Sequence, residues 1–205
     1  MKKILTFLLL LNLVFASLSF ALNLSPTDDA YVLSRNPTIG GNGGSFSIGT
    51  TATSGYVRTF LKFDLTTYPS IESATLWLYN FYGATGTAVT VGAYSASNTW
   101  SETTVTWNNQ PSYSGSPVNT ALGTRSGWFS WDVTSLAQAA AGNQFSLAMI
   151  MASGGYGLQN FYSDEYTTTA LRPYLDVTAS AAVPEPATLL LLGFGLMGLA
   201  AARRK

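Results

Sequence analysis

Short runs in which apolar and polar residues alternate constrain the fold of this chain more than any other feature of its sequence. In Val57–Leu65, every second side chain from the first onwards shares one face, whereas Arg58, Phe60, Lys62 and Asp64 share the other. Successive side chains of a β-strand point to opposite faces, so a period of two predicts a strand with one buried face. The run therefore indicates a sheet rather than a helix.

Similar runs recur along residues 22–182, separated by clusters of Gly, Ser, Thr and Asn, which favour turns. The residues that share one face in these runs are Ala74, Leu76 and Leu78; Val89, Val91 and Ala93; Phe129, Trp131 and Val133; Phe145, Leu147, Met149 and Met151; and Leu171, Leu175 and Val177. We predict that these faces point inwards, and Phe46 and Ile48 indicate a short early strand. The segment has the usual size of one domain. We predict an all-β fold, an antiparallel β-sandwich of jelly-roll type, over residues 22–182.

One segment of this domain departs from the alternation and predicts a short helix. Ser135–Ala141 is rich in alanine, and Gly142 follows it as a residue that commonly ends helices. Thr134 is predicted to cap the helix start, and Asp132 lies where a carboxylate favours the helix dipole.

Residues 1–21 have the three parts of a secretory signal peptide. Lys2 and Lys3 precede a largely apolar run, Ile4–Phe15, and a small-x-small cleavage pattern ends at Ala21. We predict cleavage after Ala21, because the run is shorter than the roughly 20 residues of a membrane-spanning helix. An uncleaved N-terminal anchor is the alternative.

Residues 183–205 form a second targeting segment. A stiff Pro-rich start leads into the uncharged run Ala187–Ala202, and three cations, Arg203, Arg204 and Lys205, end the chain. The order predicts an apolar transmembrane helix whose basic end stays on the cytoplasmic side. Three glycines lower its helix propensity, so the anchor is as well suited to a temporary role as to a permanent one.

This segment resembles the PEP-CTERM sorting signal. The residues that carry the resemblance are Pro184, Glu185, Pro186, Arg203 and Arg204. The resemblance implies an exosortase as partner, removal of the tail, and export in Gram-negative bacteria that make exopolysaccharide. The inner membrane would then be a transient partner, and the end state extracellular or on the cell surface. An ordinary tail anchor is the alternative.

Missing residue types and the charge balance exclude several function classes. The sequence has no Cys and no His, which excludes disulfides, thiolate metal sites and Ser-His-Asp chemistry. Its net charge of zero combines two opposite biases, because five of the ten cations lie in the targeting segments. The domain itself has five cations against nine acids, a charge of −4, with no basic cluster. We therefore predict no nucleic-acid partner.

Several phrases of the domain resemble one known family. They are Asp29–Val32, Arg58–Leu65, Ile71–Tyr79, Asn98–Pro111, Trp131–Thr134, Tyr162–Glu165 and Arg172–Leu175. The most specific is the Trp-Ser-Glu-x-x-Val-Thr-Trp-Asn phrase that begins at Trp100. Their order resembles the DNRLRE domain, or carbohydrate-binding module family 96, from Asp28 to Thr178. The resemblance implies a secreted β-sandwich, with polysaccharide binding, notably of alginate, in some members.

A carbohydrate-binding face follows if strands 57–65 and 74–82 pair through their short connection. One sheet face would then carry Arg58, Phe60, Lys62, Trp77 and Tyr79. Aromatic faces stack on pyranose rings, and two cations beside them would suit an acidic sugar. The alternative is that this face is interior or covered by a loop. Trp100 and Trp107 are predicted to be packing residues of the Trp-Ser-Glu phrase.

The acids offer weaker candidates for a metal ion. Asp28, Asp29 and Asp176 lie near the two ends of the domain, which sandwiches often bring together. They are candidate Ca²⁺ ligands, with solvated surface acids as the alternative. No other cofactor is predicted.

Five other acids are candidates for the pair of carboxylates that a glycosidase needs. The candidates are Asp64, Glu102, Asp132, Asp164 and Glu165, each with an ordinary structural role such as Glu102 accepting backbone N–H bonds. We therefore predict no enzyme but a secreted, non-catalytic domain that binds extracellular polysaccharide. A structural biofilm or matrix protein is the main alternative, and a polysaccharide lyase or hydrolase the second.

Overall fold

The alternating runs form antiparallel strands in the computed structural model, which describes residues 19–82, 89–122, 126–153 and 156–180, with Leu192 and Gly195. The strands of these residues are β1 (Ser19–Leu24), β2 (Asp28–Leu33), β3 (Asn36–Gly41), β4 (Ser45–Thr51), β5 (Gly55–Asp64), β6 (Ile71–Tyr82), β7 (Val89–Ala96), β8 (Tyr113–Leu122), β9 (Gly127–Asp132), β10 (Gln144–Ser153), β11 (Gly157–Tyr162) and β12 (Tyr174–Ser180). One short helix, α1 (Thr134–Ala139), and two 3-10 turns complete the fold. The predicted antiparallel all-β class is confirmed.

The strands form two layers. β5 is central to one, pairing with β2 on one side and with β10 and then β4 on the other. β10 continues through β7 to β8, and β2 pairs with β3. β6 is central to the second layer, between β9 and β12, and β12 pairs with β1. β11 pairs with both β6 and β4 and so links the layers.

The core lies between the two layers and contains the predicted inward faces. Leu61 and Phe63 of β5 pack in one cluster with Leu76 and Leu78 of β6 and with Trp131 of β9, all of them buried. The indole N–H of Trp131 donates to the Val91 carbonyl oxygen at 2.9 Å, which satisfies its polar atom inside the core. The predicted inward positions Phe129, Met151 and Leu171 are half-buried rather than buried.

Helix α1 begins one residue earlier than predicted, and Thr134 does not cap it. Thr134 is the first helical residue, and the Asp132 carboxylate accepts its N–H at 3.1 Å and its hydroxyl at 2.6 Å. These two bonds favour the charged carboxylate and hold the pKa of Asp132 below its ordinary value. Gly142 follows with φ +75°, in the left-handed region that glycine adopts readily, as its position predicted.

The first and last strands of the described domain lie side by side, with Ser19 opposite Ser180. β1 includes the last residues of the predicted signal peptide, so cleavage after Ala21 would leave Leu22–Leu24 paired. That cleavage stays a prediction. The rest of the signal peptide, the predicted C-terminal apolar helix apart from Leu192 and Gly195, and the residues of the sorting motif lie outside the described residues. Among those described, no helix is long and apolar enough to span a membrane.

The Asp132 contact provides a test of how the helix is fixed. We expect Asp132→Ala to lower the free energy of unfolding by about 1 kcal/mol, because it leaves the first helical N–H without its acceptor. Chemical denaturation followed by circular dichroism measures this loss. Asp64→Ala is the matched control, because Asp64 makes the same pair of bonds to Thr66 in a turn that no helix follows. An equal loss in both variants would contradict a helix-specific contribution.

Candidate functional site

The predicted five-residue binding face is divided between the two layers. β5 and β6 do not pair with each other, because the connection between them crosses from one layer to the other. Arg58, Phe60 and Lys62 therefore lie on the outer face of β5, and Trp77 and Tyr79 on the outer face of β6. The prediction that these five share one face is wrong.

The outer face of β5 is covered by a loop of residues 97–112, which a backbone bond from Ser97 to Ser112 closes. Phe60 is 0% exposed and packs with Val105 of this loop, and its ring lies 6.0 Å from that of Trp100. Trp100 and Trp107 are both packed against this second apolar cluster, which confirms their predicted packing role. The alternative of a loop-covered face therefore describes the β5 half of the predicted site.

The two predicted cations hold this loop. The Lys62 ammonium donates to the Trp100 carbonyl oxygen at 2.6 Å and to the Asp28 carboxylate at 3.2 Å. The Arg58 guanidinium lies 4.4 Å from the centre of the Trp107 ring, and its Nη1 donates to the Gln110 side chain at 3.0 Å. Both cations thus make their strongest contacts within the protein, where cation–π and charge-assisted bonds stabilise the loop.

The outer face of the second layer carries a set of half-exposed rings that we call the aromatic strip. Alternation along β6 points Trp77 and Tyr79 outwards, and the strand register places Tyr174 of β12 opposite Trp77 and Trp128 of β9 opposite Tyr79. Tyr162, at the end of β11, lies beside Tyr79. The full strip consists of Trp77, Tyr79, Phe81, Trp128, Tyr162, Tyr166 and Tyr174.

Contacts between neighbouring rings run through the strip without a break. Trp128 joins its two halves, with centroid distances of 5.4 Å to Tyr174 and 5.3 Å to Tyr79. Tyr79 and Tyr162 are stacked at 5.8 Å, and Tyr162 stacks on Tyr166 at 3.5 Å. Trp128 is 36% exposed, and the other rings are half-buried. The rings are therefore accessible yet held in place by one another.

Charged residues lie at the edges of the strip. Asp132 of β9 and Asp176 of β12 are exposed and lie on the two sides of Thr75 in β6, one step along the face from Trp77. Burial and the charge of Asp176 raise the pKa of Tyr174. At the other end, Arg172 donates from Nε to the carbonyl oxygen of Tyr166.

A second candidate site is a cluster of acids below the loop of residues 97–112. Asp29 of β2 and Asp164 and Glu165, which follow β11, each offer a carboxylate oxygen, and these oxygens lie within 4.8 Å of one another. The Asp164 N–H donates to the Asp29 carboxylate at 2.9 Å. The Glu102 carboxylate accepts the Asp29 N–H at 3.4 Å, which confirms the predicted role of Glu102 as an acceptor for backbone N–H.

The cluster differs from the predicted set of metal ligands. Of the three candidates, Asp29 belongs to the cluster, whereas Asp28 forms an ion pair with Lys62. Asp176 lies in the other layer, because β12 pairs with β1 and β6 rather than with β2. Carboxylate oxygens in this number suit a hard cation. Of the acids considered as catalytic candidates, Asp64 accepts a bond from Thr66 in an exposed turn, and Asp132 accepts one from Thr134 at the start of α1.

Burial and mutual repulsion disfavour the charged forms of Asp29 and Asp164. Burial, with the charge of Asp164 next in importance, raises the pKa of Asp29 from 3.8 to about 8. Burial and Glu165 raise the pKa of Asp164 to about 7. Both groups therefore bind protons more tightly in the folded chain than in the unfolded one.

These shifts predict how stability depends on pH in metal-free buffer with a chelator. Between about pH 4 and pH 8 the folded chain binds more protons than the unfolded chain, so the free energy of unfolding falls as pH rises. We expect a lower urea midpoint at pH 8.5 than at pH 5.5, and a smaller difference in Asp164→Asn. A midpoint that rises with pH over this range in both proteins would contradict the assignment.

Comparison with known proteins adds three findings. Residues 21–179 match the sequence model of carbohydrate-binding module family 96, and residues 182–205 match the PEP-CTERM protein-sorting motif. A gellan lyase from a Bacillus species is 34% identical to the chain over 182 residues. The match covers 82% of this chain and 7% of the lyase, so the chain corresponds to a module-sized part of that protein.

Proposed function

The chain belongs to carbohydrate-binding module family 96, and we propose that its domain binds an extracellular polysaccharide along the aromatic strip without cleaving it. The observation that carries the proposal is the unbroken series of ring contacts on the outer face of β6, β9 and β12. Trp77 and Tyr79 of the predicted set lie in the strip.

The geometry of the strip suits a polymer. Rings on β9, β6 and β12 follow one another at centroid distances of 5.3–6.3 Å, so a chain of sugars that lies along the strip meets several of them. Because the rings already contact one another, little side-chain freedom is lost when a sugar stacks on them.

Charge favours a neutral glycan over an acidic one. Asp132 and Asp176 flank the strip, and the two cations that would suit an acidic sugar hold the loop of residues 97–112 in the other layer. The domain is also acidic overall, at −4 between residues 22 and 182. Stacking rather than ion pairing therefore supplies the affinity.

The positions and pKa values of several acids support binding without cleavage. Asp29, whose pKa burial raises to about 8, is 1% exposed and does not reach a bound polymer. Asp64 and Asp132 have lowered pKa values, which disfavours the proton donation that glycoside cleavage requires. A reducing-end assay tests for turnover, and release of sugar that is lost in Asp164→Asn would establish an enzyme instead.

The sorting motif marks the chain for export, and we place the binding domain at the cell surface or in the extracellular matrix. In this proposal an exosortase recognises the tail at the inner membrane and removes it. The released domain then meets exopolysaccharide outside the cell.

The strip is tested by substitution at its centre. We expect Trp128→Ala to weaken polysaccharide binding at least about tenfold, because Trp128 joins both halves of the strip and aromatic anchors dominate such interfaces. Affinity electrophoresis through gels that contain neutral and acidic glycans measures the change. Tyr156→Ala is the matched control, since Tyr156 is 77% exposed and no ring contact joins it to the strip in the described residues.

Two results of this experiment would contradict the proposal. Equal retardation of wild type and Trp128→Ala would place binding elsewhere on the domain. Absence of retardation by every glycan, in a folded wild-type protein, would favour a structural matrix role.

The salt dependence of glycan binding distinguishes ring stacking from charge attraction as the source of affinity. We expect retardation by a neutral glycan to change less than about twofold between 50 and 500 mM NaCl, because exposed charges contribute little to a stacked interface. Binding that appears only with acidic glycans and weakens steeply with salt would contradict the neutral assignment.

A further inference from the structure

The acid cluster of Asp29, Asp164 and Glu165 lies outside the proposed glycan contacts and needs its own explanation. Asp29 is 1% exposed, although a buried carboxylate is costly unless it is paired. The Oδ1 atom of Asp164 is shielded from solvent and has no hydrogen-bond partner. Asp29 is thus held in the interior beside the half-buried Asp164, one oxygen of which is left unsatisfied.

In the described part of the chain, no Lys or Arg forms an ion pair with these carboxylates. The Lys62 ammonium is bonded to Asp28 and to the Trp100 carbonyl oxygen. Arg172 donates from Nε to the Tyr166 carbonyl oxygen, and its charge only partly offsets the raised pKa of Asp164. Since buried charges are normally paired or bound to a metal, the geometry calls for an external cation.

We infer that Asp29, Asp164 and Glu165, with the Glu102 carboxylate beside them, form a binding site for Ca²⁺. The donors are all carboxylate oxygens, which hard cations prefer. Ca²⁺ accepts about six to eight oxygens in irregular geometry, so water completes a site of this kind, whereas Mg²⁺ requires a near-octahedral arrangement. The sequence has neither Cys nor His to select a softer metal.

The ion would join three segments that are far apart in the chain. Asp29 comes from β2, Glu102 from the loop of residues 97–112, and Asp164 and Glu165 from the segment between Tyr162 and Tyr166. That last segment carries one end of the aromatic strip. Ca²⁺ would therefore stabilise the domain and fix the positions of the Tyr162 and Tyr166 rings.

Calcium titration of the full chain tests the inference. The chain is purified in a polyoxyethylene detergent, stripped with EDTA and titrated with CaCl₂ by calorimetry, while thermal unfolding is followed by circular dichroism. We expect a dissociation constant of about 10⁻⁴ to 10⁻³ M, as in other extracellular modules, and a higher melting temperature with Ca²⁺.

Substitutions identify the ligands. Glu165→Gln and Asp164→Asn should each weaken Ca²⁺ binding at least tenfold, and Glu165 is exposed, so its variant keeps the fold even if the other does not. Asp176→Asn is the control, because it removes an exposed acid of the other layer and should leave the titration unchanged.

Three outcomes would overturn the site. The first is a folded wild-type chain without a calcium response at 10 mM. The second is a response that Glu165→Gln leaves intact. The third is an equal response to MgCl₂, which would remove the assignment to Ca²⁺. A gain in stability of Asp164→Asn with no calcium response in wild type would show that the cluster holds a proton instead.

Discussion

The burial of β5 on both of its faces is the constraint on which the remaining architecture depends. Its inner face contributes Leu61 and Phe63 to the core between the layers. Its outer face places Phe60 at 0% exposure beneath the loop of residues 97–112. Burying a phenylalanine contributes about 1.5–3 kcal/mol, and the Arg58 and Lys62 contacts on either side hold the covering loop against it.

This cover makes the two layers functionally unequal. On β5 the outward residues are used to attach a loop, whereas the outward residues of β6 remain half-exposed in the aromatic strip. The same alternation therefore serves packing on one strand and an accessible surface on the other. The free face carries rings with acids at its edge, and the buried face carries the cations. The chemistry available for binding is set by this division.

The sequence predicted the strands β4 to β7, β9, β10 and β12 and which of their faces point inwards, because a period of two determines both. It did not predict strand partners, since alternation is the same whichever strand lies alongside. The six residues between β5 and β6 are few enough for a hairpin, and here they cross between the layers instead. The apolar Phe60 between Arg58 and Lys62 was a sign, available in advance, that the outer face is covered.

The sequence analysis missed several residues of the two sites for the same reason, because strand pairing brings them together. Tyr174 lies at an outward-facing position of β12, but only the pairing of β12 with β6 places it beside Trp77. Asp29 and Asp164 are 135 residues apart and meet because the segment after β11 returns to β2. Contacts of this range depend on the whole topology, and local patterns carry no information about them.

The two proposed sites are close enough in the chain for one to affect the other, because an ion bound at the acid cluster would change the charge beside the aromatic strip. Asp164 and Glu165 lie between the ring-bearing residues Tyr162 and Tyr166, so a divalent ion bound there would reduce the negative charge at that end of the strip. Asp132 and Asp176 would still repel a polyanion at the other end. A neutral chain would then bind the strip with or without calcium. An acidic chain would bind only with it, and only near Tyr166.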